Sequence, residues 1–143
     1  MFLLDANLLI ALGDSSHAHA DAALRFFGEH ARRSSWATCP LTENAFLRIL
    51  GRPDYPGGPG TTEAARRMLL SITANPGHEF WPDQLSLLTI AEIPRLPGSK
   101  HLTDLYLLAL AVRHKAQLVT FDRRIDPTLI PGGVQAYLVL SCV

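Results

Sequence analysis

Carboxylate residues recur where strands are predicted to end and where helices are predicted to begin. The apolar runs FLLD and LVTFD end at Asp5 and Asp122, while the pairs TE and TD place Glu43 and Asp104 near helix starts. In an open parallel α/β sheet, functional groups gather beyond the carboxyl ends of the strands, where the following helices also begin. We therefore expect these acids to converge. Two like charges about 4 Å apart repel by about 4 kcal/mol at an effective dielectric constant of about 20, so such a cluster needs protons, arginines or a metal ion.

The donor atoms of this acidic set indicate which metal could bind. All of them are carboxylate oxygens, with no cysteine or histidine at ligand spacing, and this favours Mg²⁺ or Mn²⁺ over zinc. Hard cations held by carboxylates suit phosphoryl chemistry because they activate water, neutralise phosphate charge and stabilise a leaving oxygen. The residue types thus point to a metal-assisted phosphoryl reaction.

Each acid also has a simpler interpretation. Glu43 and Asp104 could complement helix dipoles, an effect worth about 0.3–1 kcal/mol each. Asp122 could belong to a turn with the two arginines that follow it. Asp5 is the hardest to explain in this way, because it interrupts the apolar run FLLDANLLIAL, where a buried and unpaired carboxylate would be costly.

Hydrophobic spacing predicts the elements that must position these acids. The predicted strands are residues 1–4, 36–39, 79–81, 117–121 and 134–140. The predicted helices are one opened by Ser15 and Ser16, one over residues 42–50, one capped by Thr61 or Thr62 and ending near Thr73, a short one at 85–93, and one from Leu102 capped by Thr103. This order predicts an α/β fold with a mainly parallel central sheet flanked by helices. The segment 53–60 is too short to separate domains, so we expect a single domain over residues 1–143.

Composition excludes several classes of protein. The chain of 143 residues is 48% hydrophobic and 18% charged, which argues against disorder. Its 13 basic and 13 acidic residues cancel, which argues against a tail-like nucleic-acid binder but leaves a local basic patch open. Cys39 and Cys142 show no metal-type spacing and are expected to be reduced. With no signal-peptide pattern and no apolar stretch of the ~20 residues that a membrane span needs, we expect a cytoplasmic protein.

The order of the acidic motifs resembles a known family. An apolar strand closing on D-x-N, a T-E at a helix start, a T-D opening an apolar helix and T-F-D-x-R after a strand are similar to the PIN domain. More narrowly, the chain resembles VapC-type toxins of bacterial toxin–antitoxin modules, over essentially its whole length. The resemblance implies an endoribonuclease, dependent on Mg²⁺ or Mn²⁺, that hydrolyses RNA phosphodiester bonds with metal-activated water. It also implies a VapB-type antitoxin as partner, and a homodimer.

The resemblance assigns roles residue by residue. The catalytic and metal-binding acids that it implies are Asp5, Glu43, Asp104 and Asp122. Asn7 and Thr120 would orient these acids by hydrogen bonding, and Asp126 could be a further acid near the fourth. Arg123 and Arg124 are candidate phosphate contacts, with a solvated surface role as the alternative.

Other functions stay open on the sequence. A haloacid-dehalogenase-like phosphatase would need a second aspartate where Asn7 stands, and a receiver domain would need paired acids at the first strand and a late lysine. Both patterns are missing. The remaining alternatives are a housekeeping PIN nuclease and a PIN-like RNA- or protein-binding module without catalysis, although the presence of all the acids argues against the latter. Trp36 and Trp81 could stack on bases, but core packing is the better expectation.

Overall fold

A parallel sheet forms the centre of the molecule in the computed structural model, which describes residues 1–90 and 93–141. The sheet has five strands in the order β3-β2-β1-β4-β5, and every neighbouring pair is parallel. The strands are β1 Phe2–Leu4, β2 Trp36–Thr38, β3 His78–Phe80, β4 Gln117–Thr120 and β5 Tyr137–Val139. The helices are α1 Ala6–Gly13, α2 Ala20–Glu29, α3 Pro40–Leu50, α4 Thr62–Thr73 and α5 Leu102–Arg113. The predicted α/β fold with a mainly parallel sheet is confirmed.

Strand β1 lies at the middle of the sheet and is buried on both faces. Side chains alternate between the faces of a strand, so its neighbouring leucines enter different cores. Leu3 packs with Leu118 in the core that includes α5. Leu4 packs with Val119 in the core that includes α1, α2, α3 and α4. Burial on both faces explains why the strands read as apolar runs without alternation.

The segment after β1 differs from the prediction. Helix α1 begins immediately after Asp5, whose side chain accepts a hydrogen bond from the backbone N–H of Ala6 and caps the helix. The helix predicted to open at Ser15 and Ser16 is wrong in its start, because α2 begins only at Ala20. Ser16 instead donates to Asp14 in a turn between the two helices. Asp5 is therefore both the end of a strand and the cap of a helix.

Two further helix predictions need correction. The described part of the short helix predicted at 85–93 contains no helix, and residues 91 and 92 lie outside the described residues. Thr103 is not the cap of α5, which begins at Leu102 and has His101 in the cap position. By contrast, Thr61 caps α4 as expected and accepts from the backbone N–H of Ala64 at 3.0 Å.

Side-chain burial settles several smaller expectations. Trp36 and Trp81 are both core residues, with 0% and 3% of their surface exposed. Cys39 is a free, buried thiol, whereas Cys142 lies outside the described part of the chain.

Over residues 1–90 and 93–141, no helix is both long enough and apolar enough to span a membrane.

Candidate active site

Three acids lie at the carboxyl edge of the central strands. Asp5 follows β1, Asp122 lies just beyond β4, and Asp104 stands in the first turn of α5. The charges of Asp104 and Asp122 both raise the pKa of Asp5, and the charge of Asp122 raises the pKa of Asp104. Because such effects weaken with distance, the three carboxylates lie within electrostatic reach of one another.

Asp5 is the most perturbed of these acids. It is 8% exposed, and burial raises its pKa from 3.8 to about 6. Hydrogen bonds partly oppose this effect: Thr120 Oγ1 donates to Oδ2 and the Ala6 N–H donates to Oδ1, each at 2.7 Å. The fold therefore holds a carboxylate where its ionised form is costly, and a nearby cation would relieve that cost.

A buried threonine ties two of the strands' ends together. Thr120 Oγ1 donates to Asp5 and accepts from Asn7 Nδ2 and from the Asp122 backbone N–H, both at 3.0 Å. Asn7 Oδ1 accepts from the Phe121 backbone N–H at 3.3 Å. Asn7 and Thr120 thus lie where the sequence placed them, beside the first and fourth acids, and fix the orientation of Asp5.

Glu43 is held in a similar way beside the neighbouring strand β2. It lies in the first turn of α3, next to β2, and accepts from Thr38 Oγ1 at 2.6 Å. Thr38 is the last residue of β2 and is fully buried, as Thr120 is at the end of β4. The sequence analysis missed Thr38, although a threonine ending a buried strand just before an acidic helix start is a usable signal.

Basic residues lie against two of the three aspartates. Arg124 donates from Nε and Nη2 to the two carboxylate oxygens of Asp122, at 3.0 and 3.1 Å, and holds the pKa of Asp122 below its usual range. His101 Nδ1 lies 3.6 Å from Asp104 Oδ2, beyond hydrogen-bond distance but close enough for attraction. Burial is the main cause of the raised pKa of Asp104. The guanidinium of Arg124 therefore offsets part of the acidic charge.

An open cleft of about 490 Å³ adjoins Asp122. Its lining residues are Asn7, His17, His19, Phe121, Asp122, Arg123 and Arg124. The rings of His19 and Phe121 stack with centroids 4.4 Å apart. Both predicted arginines line this cleft. Arg124 forms an ion pair with Asp122, whereas Arg123 is exposed.

Asp126 is not brought to the acidic cluster. Its carboxylate accepts from the backbone N–H and the hydroxyl of Thr128, at 3.0 and 2.6 Å, and caps the short 3-10 segment Pro127–Leu129. These hydrogen bonds hold the pKa of Asp126 below its usual value. Asp126 therefore has a local turn role in this structure.

The chemistry of the donor set fits a hard cation. Asp5 uses one lone pair on each oxygen for its two hydrogen bonds, which leaves the other lone pairs available to a ligand. Among residues 1–90 and 93–141, no three His, Cys, Asp or Glu side chains already stand close enough together to hold a metal ion. All-oxygen donors of this kind suit Mg²⁺ or Mn²⁺.

Comparison with known proteins gives concordant matches. The PIN domain family matches residues 2–128. Ribonuclease VapC44 of Mycobacterium tuberculosis is 38% identical over 138 residues, which is 95% of this chain and 96% of VapC44. Ribonuclease VapC38 of the same organism is 42% identical over 123 residues, 85% of each protein. The crystal structure of VapC20, a sarcin–ricin-loop-cleaving toxin from M. tuberculosis, superposes with a TM-score of 0.61 at 13% identity and covers 99% of this chain and 100% of that one.

Proposed function

The chain belongs to the PIN-domain family, and we propose that it is the ribonuclease toxin of a VapBC-type toxin–antitoxin system. The observation that carries the proposal is the buried carboxylate of Asp5, held among the charges of Asp104 and Asp122 at the end of the central strand. The identity to VapC ribonucleases over nearly the full length of both chains supports the same conclusion.

We propose that Asp5 and Asp104 hold a divalent cation, Mg²⁺ or Mn²⁺, and that Glu43 and Asp122 complete the acidic set. When bound, such a cation activates water and neutralises charge on the phosphate. The chain's own residues keep the carboxylates in place: Thr120 orients Asp5, and Thr38 orients Glu43. No side-chain nucleophile is needed for hydrolysis of the RNA phosphodiester.

The open cleft beside the acids is the proposed path of the RNA. Arg123 is exposed on its wall and can approach a phosphate, whereas Arg124 would have to leave Asp122 to do so.

A second cleft of about 220 Å³ borders Glu43 and is lined in part by Leu47 and Leu70. We propose that a VapB-type antitoxin covers the cleft beside Glu43. We also propose that the toxin is a homodimer in the cytoplasm. The whole chain is proposed to be one PIN-like domain.

Metal-dependent RNA cleavage by the purified protein tests the proposal. Wild type should cleave RNA with Mg²⁺ or Mn²⁺ and stop in EDTA. The variants Asp5→Asn and Asp104→Asn should each lose at least about a hundredfold in kcat, because a bound cation contributes several kcal/mol of transition-state stabilisation. Asp54→Asn, which removes an exposed carboxylate from a surface loop, is the matched control and should cleave normally. Equal cleavage by wild type and Asp5→Asn, or none by wild type with either metal, contradicts the proposal.

A further inference from the structure

His78 is connected to Glu43 through a single hydroxyl group. It begins β3, and its ring packs against the indole of Trp36 with centroids 4.7 Å apart. Its Nε2 lies 2.8 Å from Thr38 Oγ1, and the same oxygen lies 2.6 Å from Glu43 Oε2. Three side chains from β3, β2 and α3 thus form one continuous chain that ends on a proposed metal ligand.

The position of His78 is set by the chain just before it. Gly77 has φ +88°, and a Cβ there would lie 2.4 Å from the backbone oxygen of Ser34, so only glycine fits without distortion. Trp36 Nε1 donates to the carbonyl oxygen of Pro76 at 2.9 Å, which holds the same turn from the side. The backbone that leads into His78 is therefore held in one conformation.

The hydrogen-bond inventory assigns a direction to this chain. A threonine hydroxyl has one proton, and an ionised carboxylate can only accept. Thr38 must therefore give its proton to Glu43, and His78 Nε2–H must donate to Thr38. Donation by His78 polarises the hydroxyl and strengthens its bond to Glu43.

The same arrangement holds Asp5. There, Asn7 Nδ2 donates to the Thr120 hydroxyl, which donates to the carboxylate. Both relays consist of a nitrogen donor, a threonine at a strand end and an acid. Their recurrence at β2 and β4 indicates that His78 does for Glu43 what Asn7 does for Asp5.

We propose that His78 is a positioning residue for the ribonuclease reaction, which orients the Thr38 hydroxyl and thereby holds the Glu43 carboxylate in the acidic site. This inference rests on the proposed ribonuclease function. Partners one shell beyond a metal ligand typically contribute about 10- to 100-fold to activity or metal affinity.

Two substitutions separate the hydrogen bond from the ring. His78→Phe keeps an aromatic ring against Trp36 but removes the Nε2–H, and we expect kcat to fall by about 10- to 100-fold with little change in the KM for RNA. His78→Gln loses the ring but offers an amide N–H near the position of Nε2, and we expect it to recover most of kcat. Thr38→Val should resemble His78→Phe, and the double variant should lose little more, because residues that act as one unit are not additive.

His114 provides a matched control. Its ring stacks on Trp81 with centroids 3.7 Å apart, and its Nε2 pairs with Gln84 Oε1 at 3.0 Å. It follows the last residue of α5, about 15 Å along the helix from Asp104 at 1.5 Å per residue. His114→Phe therefore makes the same chemical change on a tryptophan away from the acids, and kcat should stay at the wild-type value.

A measurement on the metal-free protein gives a readout independent of activity. In nitrogen-15 NMR spectra of the imidazoles, His78 should carry a proton on Nε2, and its exchange with water should speed up in Thr38→Val. A neutral His78 ring protonated only on Nδ1 overturns the inference, as does wild-type kcat in His78→Phe. If Asp5→Asn cleaves like wild type, the ribonuclease proposal itself fails. Loss in Asp5→Asn together with full activity in His78→Phe refutes only the role of His78.

Discussion

Replacing Asp5 by asparagine should remove a pH-dependent destabilisation of the metal-free protein. Burial raises the pKa of Asp5 from 3.8 to about 6 in the folded protein. A folded-state pKa above the unfolded value means that the native state binds the proton more tightly. The stabilising contribution of that proton is complete below pH 3.8 and is lost as the pH rises through about 6. At 1.36 kcal/mol per pKa unit, the loss amounts to about 3 kcal/mol above that range.

Asparagine removes the titration but also changes the hydrogen bonds. Thr120 Oγ1 already accepts from Asn7 and from the Asp122 N–H, so it is poorly placed to accept from an amide at position 5 as well. One buried donor, either on the new amide or among the groups that now donate to Asp5, is then left without an acceptor. This costs about 1–3 kcal/mol, with little dependence on pH. The informative quantity is therefore the change with pH in the difference between the variant and wild type.

Urea unfolding in EDTA measures this difference. We expect the free energy of unfolding of Asp5→Asn, relative to wild type, to rise by about 2 kcal/mol between about pH 4 and about pH 7, since part of the effect lies below pH 4. Asp54→Asn, on an exposed loop, corrects for the loss of one carboxylate. Added Mg²⁺ should stabilise wild type more than Asp5→Asn, because ligands that bind only the native state add to its stability. A difference that does not change with pH would refute the interpretation of Asp5 as a costly buried carboxylate.

Other substitutions test the parts of the structure around the acids. Thr120→Val should lower cleavage by about 10- to 100-fold because it disconnects Asp5 from its support, and Thr120→Ser should retain activity in the same assay. Gly77→Ala should destabilise the protein by about 1–3 kcal/mol, since it combines a positive φ with a backbone clash. Gly28→Ala, at an exposed helix position with open space around it, should stabilise the protein by about 0.5–1 kcal/mol. Thermal unfolding measures the effects of both glycine substitutions. Arg123→Ala should leave kcat unchanged and reduce the salt-dependence slope of RNA binding by about 0.7, the value for one phosphate contact on a single strand.

The sequence was most informative where local and global signals agreed. The order of the strand and helix patterns correctly predicted the parallel sheet. Asp5 and Asp122 follow strands β1 and β4 at one edge of that sheet. The predicted α4 was confirmed because Thr61 supplies a cap and the following residues show helical periodicity. The resemblance to VapC toxins was confirmed by the sequence comparisons.

The sequence was least informative where contacts join distant segments. Helix α1 was missed because FLLDANLLIAL is apolar on both sides of Asp5 and Asn7, which leaves no periodicity to mark the change from strand to helix. The contact between Thr38 and His78 joins residues 40 apart in sequence, and nothing in either local pattern indicates it. Asp126 was a candidate only because it lies close to Asp122 in sequence. Its carboxylate instead accepts hydrogen bonds from Thr128.

Titration of Mn²⁺ into the metal-free protein tests the central claim most directly. The account predicts saturable binding to wild type, loss of binding in Asp5→Asn and Asp104→Asn, and weaker binding in Glu43→Gln and Asp122→Asn. Asp54→Asn should bind like wild type. Equal Mn²⁺ affinity in wild type and in the Asp5 and Asp104 variants would contradict the claim that these carboxylates form the metal centre of a ribonuclease.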